Sequence, residues 1–119
     1  MPISRLSIVT FQETRHQFTA RCLEHDIVAT GRTTELAVDA LLKMVRAHFN
    51  FDSRHARPPL SAFGPAPRLY WDAFRHGAEH WTFDMPSELD SSSGLRTQID
   101  VALIPRHPAI RPALAVRIA

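Results

Sequence analysis

The chain is poor in the residues that usually announce a chemical function. It has one cysteine, Cys22, and one lysine, Lys43, among 119 residues. A lone cysteine cannot close an internal disulfide, so a hydrophobic core must supply the stability. No apolar run approaches the ~20 residues needed to cross a bilayer. The opening MPISRLSIVTFQE has neither a long uncharged block nor a small-residue cleavage site, which argues against a secretory signal. These absences predict a cytoplasmic protein with no membrane association. A Gly-rich phosphate loop, a G-x-S-x-G elbow and paired cysteine motifs are also missing.

What remains is the composition of one modest globular domain, 45% apolar and 22% charged. The whole chain, 1–119, reads as a single domain. The formal charge is +2, carried almost entirely by arginine. Arginine suits bidentate pairing with carboxylates and phosphates. The arginines are scattered from Arg5 to Arg117, however, and form no basic stripe of the kind a dedicated nucleic-acid binder presents.

Hydrophobic periodicity orders the elements. SRLSIVTF, residues 4–11, reads as a strand. Residues 13–16 have the length of a hairpin loop. QFTARCL, residues 17–23, alternates, with Phe18, Ala20 and Cys22 on one face and Thr19 and Arg21 on the other. IVAT, residues 27–30, is a third strand. Gly31 suits the corner where the chain leaves the sheet, and Thr33 or Thr34 can cap the helix that follows. From Glu35 to Phe51 the period becomes helical, with Val38, Leu41, Leu42, Val45 and Phe49 on one stripe.

Residues 52–67 hold Pro58, Pro59, Gly64, Pro65 and Pro67, a connector where regular structure stops. Pro67 can open a short second helix ending at Gly77. Trp81, Phe83 and Met85 alternate in a brief extended segment. A strand returns over 95–104, with Leu95, Ile99, Val101 and Leu103 on one face. Residues 105–119 contain Pro105, Pro108 and Pro112 and end in ALAVRIA, whose alternation suits a strand at a sheet edge or on another chain. The predicted fold class is α+β: two layers, an antiparallel sheet with one long helix packed on one face, β-β-β-α-(α)-β.

The stretch from Phe18 to Phe49 resembles the N-terminal domain of the HicB family, the antitoxin partners of HicA-like mRNA-cleaving toxins. The resemblance rests on Phe18, Ala20, Cys22, Leu23 and Glu24, then the apolar strand, then Gly31, Thr33 and Ala37 at the opening of the helix. It covers a β-β-β-α core over roughly residues 3–51. It implies a partial RNase H-like sheet, a non-enzymatic role and a protein partner, such as a HicA-like toxin or another protein if this is an orphan relative. With that role the protein is expected to be a homodimer or higher homo-oligomer. Three departures stand out. Leu36 replaces the family's glutamate, which removes half of a capping box. Residues 105–119 lack a helical period, so the chain resembles a stand-alone member without the DNA-binding C-terminal domain. Antitoxins that cover a basic toxin are usually acidic, whereas this chain is weakly basic.

Several residues carry candidate chemistry, each with a plainer structural reading. Glu24-His25-Asp26 offers two carboxylates around a histidine, but neighbours on an extended chain diverge and turns are commonly charged. An RNase H-like nuclease needs converging acids on metal; the first strand has none and Asp100 is alone in its segment. His76 and His80, with Glu79 between, could share a helix face only if Gly77 did not end the helix. His48 and His55 could meet only if the long helix ran past Asp52. Cys22 alternates toward the helix and reads as a buried small residue. Tyr70, Trp71 and Phe74 suit packing, base stacking or, with Arg21, contact with a partner. We therefore assign no catalytic, cofactor or metal site from the sequence. Nucleic-acid binding and a degenerate RNase H-like enzyme are the alternatives to a protein-interaction domain.

Overall fold

The computed structural model describes residues 5–77, 79–85 and 97–109. Five strands and two helices follow in the order β1 (Arg5–Thr14), β2 (Gln17–Cys22), β3 (Val28–Gly31), α1 (Thr34–Arg54), α2 (Arg68–His76), β4 (Glu79–Asp84) and β5 (Gln98–Leu103). The strands form one sheet in the order β3-β2-β1-β5-β4. The fold is a two-layer α+β arrangement built on a mixed sheet.

The mixed sheet corrects the expectation of purely antiparallel pairing. β1 pairs antiparallel with β2 but parallel with β5, with Arg5 opposite Gln98 and Thr10 opposite Leu103. The reason lies in β1 itself. Six consecutive residues, Leu6 to Phe11, are buried on both faces. A strand buried on both faces belongs in the middle of a sheet, so each of its edges takes a partner. β2 fills one edge through a hairpin. The other is filled from far along the chain, after two helices and β4.

Alternation divides the side chains of β1. Leu6 and Ile8 join Ala20, Cys22, Ala29, Ile99 and Val101 beneath α1, which contributes Ala37, Val38, Leu41, Leu42 and Val45. Val9 and Phe11 face the other way and meet Tyr70 of α2 with Leu23 and Ala66. The second face is thus partly covered. Sequence periodicity leaves Val9 and Phe11 ambiguous because nothing in it says where a nine-residue helix will dock.

α1 starts as its composition requires. The hydroxyl of Thr33 accepts the N–H of Leu36 at 3.1 Å, and Glu35 lies in the first turn. Its end differs from the expected one: the helix runs through Asp52 to Arg54. Prolines begin only at Pro58, and the Asp52 carboxylate is fixed by the Leu60 N–H at 2.8 Å. That bond draws the connector back along the helix and buries Leu60 fully. Leu60 adopts φ 57° and Ala56 φ 54°, left-handed conformations uncommon outside glycine, and the Asp52 bond holds Leu60 in its own. β1 likewise extends through Glu13 and Thr14, leaving a two-residue turn at Arg15-His16. Pro67 is the cap of α2 rather than its first residue. Residues 95–96 and the ALAVRIA strand lie outside the described residues.

Gly31 marks the tightest junction. A Cβ built there would lie 2.5 Å from the Ala37 nitrogen and 2.8 Å from the Leu36 carbonyl carbon. Glycine is needed for space: the helix backbone rests directly on the strand end. Gly64, by contrast, has nothing within 4 Å of the corresponding position. Gly31→Ala is expected to lower the unfolding free energy by about 1–3 kcal/mol, the usual cost of overpacking. Gly64→Ala should be neutral or stabilise by up to about 1 kcal/mol. Denaturant melts of the two variants check this contrast, and equal destabilisation would contradict the assigned junction.

Candidate functional site

The charged corner after β2 has a structural task for each carboxylate. The chain leaves β2 at Cys22, and Leu23 pairs its N–H with Ser7 and its carbonyl with the Ala66 N–H, each at 2.9 Å. Glu24 then reaches back to β1 and accepts both the Ser7 N–H and its hydroxyl at 2.7 Å. Asp26 turns the other way and receives Arg21 in a two-pronged pair at 2.7 and 3.0 Å. Its own N–H bonds the Gly64 carbonyl at 2.8 Å. The carboxylates therefore diverge and tie β1, β2 and the connector together. His25 stays between them with a buried Nδ1 that has no hydrogen-bond partner among the described residues.

Asp100 is likewise engaged. Although 7% exposed, it receives Arg5 Nε at 2.6 Å and the Thr82 hydroxyl at 2.8 Å. A carboxylate so placed bridges β1, β5 and β4 and closes the polar half of the second face.

The histidines follow separate paths. The ring of His76 contacts the Asp72 carbonyl and that of His80 the Gly77 carbonyl, at 2.8 and 2.9 Å. α1 does continue past Asp52, yet His48 packs on Phe63 while His55 stacks on Phe51. Among the described residues no group of three or more His, Cys, Asp or Glu side chains could hold a metal ion. None of the helices described is long and apolar enough to cross a membrane.

The family-pattern residues occupy positions that shape the fold. Phe18, Ala20 and Cys22 face α1, Leu23 faces α2, and Ala37 is fully buried where the helix meets Gly31. The partner-contact candidates have a different fate from one another. Tyr70 is 6% exposed, stacks on Phe11 and lies under the Arg21 guanidinium, 4.1 Å from the ring centre. Its hydroxyl meets His107 Nε2 at 3.0 Å. Trp71 and Phe74 are half-buried against the same cluster. Packing thus claims most of the surface that sequence spacing leaves open for contact.

A largely apolar hollow lies elsewhere. α1 covers β3, β2 and β1 but stops short of β4. The gap is an open groove of about 200 Å³ lined by Val38, Leu42, Trp81 and Phe83 and rimmed by Glu35 and Asp39. Asp39 also pairs with Lys43 at 3.0 Å. A second hollow, about 330 Å³, lies among Gln12, Phe18, Thr34, Glu79, Leu103, Ile104 and Pro105. Glu79 is the one titratable residue among the described residues that line it. Sequence reading missed the groove because its two walls come from residues 35–42 and 81–83. The alternation of Trp81, Phe83 and Met85 is the one signal that points to it.

No family model, curated protein or solved structure matches the chain. The HicB resemblance therefore stands on the residues quoted for it.

Burial pushes the Cys22 thiol from its usual 9.0 up to about 12. Loss of solvation is the largest cause; the Glu24 and Asp26 charges add to it, against opposing backbone hydrogen bonds from His25 and Glu24. The folded protein keeps this proton where the unfolded chain has lost it. Stability from the buried thiol is thus complete below pH 9.0 and is lost as pH rises toward about 12, at up to about 1.4 kcal/mol per pH unit. Comparison with Cys22→Ala over that range isolates the effect. A thiol reagent should label Cys22 only after denaturation, and rapid labelling of the native protein would contradict its burial.

Proposed function

We propose that the chain is a non-enzymatic, HicB-like protein-interaction domain whose partner is a HicA-like toxin or a similarly basic protein. The observation that carries this reading is the groove between α1 and β4. Its floor and walls are apolar, with two aromatic side chains, and its rim carries Glu35 and Asp39. Aromatic anchors inside a charged rim are a common anatomy of protein-binding surfaces. The acidic rim also answers the departure in net charge. A chain of +2 overall can still present a locally acidic edge to a basic partner, because rim charges act at short range in salt.

The carboxylates that could have suggested catalysis support the same reading. Glu24 is held by Ser7, Asp26 by Arg21 and Asp100 by Arg5 and Thr82. Each stabilises a junction and leaves little freedom to receive a substrate. Arg21 is held by Asp26 and Tyr70, which favours a protein partner over nucleic acid.

The test is direct. A small, basic, histidine-containing protein encoded beside this chain should bind it in calorimetric titration. Co-expression should relieve any growth arrest that the neighbour causes. Glu35→Lys should weaken binding by about tenfold or more while leaving the circular dichroism spectrum intact. Absence of binding, or binding indifferent to Glu35→Lys, would remove the groove as the contact surface.

A further inference from the structure

We propose that the C-terminal end of α1 binds single-stranded nucleic acid, with Phe51 and His55 stacking on bases and Arg46, Arg54 and Arg57 holding phosphates. This site is separate from the groove beside β4 and would stand if the toxin reading failed.

The arginines look scattered along the sequence, but the charge around this helix end is one-sided. Residues 40–67 contain four cations, Lys43, Arg46, Arg54 and Arg57, against one acid, Asp52. Asp52 is buried and turned inward to the Leu60 N–H. Lys43 is paired with Asp39. Arg46, Arg54 and Arg57 have no ion-pair partner among the described residues.

The helix arranges these groups. Arg46, Asn50 and Arg54 recur at four-residue spacing, so they line one side of α1 about 6 Å apart along its axis. Phe51 lies beside Arg54, three positions earlier, and is 43% exposed. The exposed ring of His55 stacks on it, with centroids 4.1 Å apart and planes inclined by 26°. A carbonyl can only accept, so His55 Nδ1 donates to the Phe51 carbonyl at 2.8 Å and fixes its ring against the last turn. The third arginine arrives from beyond the helix. Ala56 turns the chain in a left-handed conformation, and the Arg57 N–H bonds the Asp52 carbonyl at 2.8 Å. The Arg57 guanidinium then comes within 5.6 Å of the Phe51 ring centre.

Attraction to the terminal helix carbonyls accounts for Arg54 alone. Arg46 lies about two turns back, and Arg57 is outside the helix. An aromatic pair flanked by guanidinium groups matches what an unpaired nucleotide presents, a flat base and a phosphate. Bases inside a duplex are already stacked, so the ligand is a single strand. Arg21 lies on the other face of the sheet, bound by Asp26 and Tyr70, and takes no part.

Fluorescence anisotropy of the whole chain with a labelled short oligouridine, and with oligothymidine of equal length, tests this. Affinity should fall with salt, with a log–log slope of about −0.7 per phosphate held, or about −2 for three arginines. The tighter of the two strands identifies the sugar, and the annealed duplex should bind more weakly than either. Arg54→Gln should weaken binding by about fivefold or more, whereas Arg15→Gln, which lowers the net charge equally at the exposed turn before β2, should change it by less than about twofold. Phe51→Leu keeps the apolar bulk and the helix but removes the flat ring, and should cost about fivefold or more, with an unchanged circular dichroism spectrum. Absence of binding at low salt, equal losses from Arg15→Gln and Arg54→Gln, wild-type affinity in Phe51→Leu, or a duplex bound as tightly as the single strand would each overturn the proposal.

Discussion

β1 has no wet face. Leu6 to Phe11 are buried on both sides, so the strand can exist only if it is flanked at both edges and covered above and below. Most of the architecture answers that demand. β2 and β5 take the edges. α1 lies on the Leu6 and Ile8 side, and α2 with Tyr70 lies on the Val9 and Phe11 side. Burying such side chains contributes about 1.5–3 kcal/mol each. One strand thereby recruits elements from the whole length of the chain.

Polar groups then hold those elements in place. Glu24 bonds Ser7 of β1, Asp52 bonds Leu60 in the connector and Asp100 gathers Arg5 and Thr82. Ser7 and Leu60 are buried donors that would otherwise be stranded, whereas Arg5 and Thr82 are exposed and Asp100 is itself the buried partner. The acids act as cross-braces, and this division of labour separates the interior from the apolar groove beside β4. Where a carboxylate is committed to the frame, the surface has little polar chemistry to offer and presents shape and hydrophobicity instead.

How much of this could be read from the sequence depends on the range of the interaction responsible. The strands up to Gly31 and the helix after Thr33 are written in local periodicity and capping, although β1 and α1 each run three residues past the end that periodicity gives them. The mixed pairing of the sheet was not legible, because β5 lies beside β1 through contacts more than ninety positions apart and its direction follows from topology. The late end of α1 depends on Asp52 reaching Leu60, a tertiary bond. Tyr70, Trp71 and Phe74 look alike by spacing, yet Phe11 and Arg21 decide that Tyr70 is enclosed. The groove needed both α1 and β4 to be positioned before it existed at all.

The parallel pairing of β1 with β5 also bears on how the chain is made. Arg5 and Asp100 lie 95 positions apart, and contacts so distant in sequence form slowly and late. During synthesis the first hairpin and α1 can assemble early, leaving one margin of β1 exposed until residues 98–103 leave the ribosome. For that interval the nascent protein displays an oily, unpaired ribbon. Its yield in cells should therefore depend on translation pace and on chaperones that shield such ribbons.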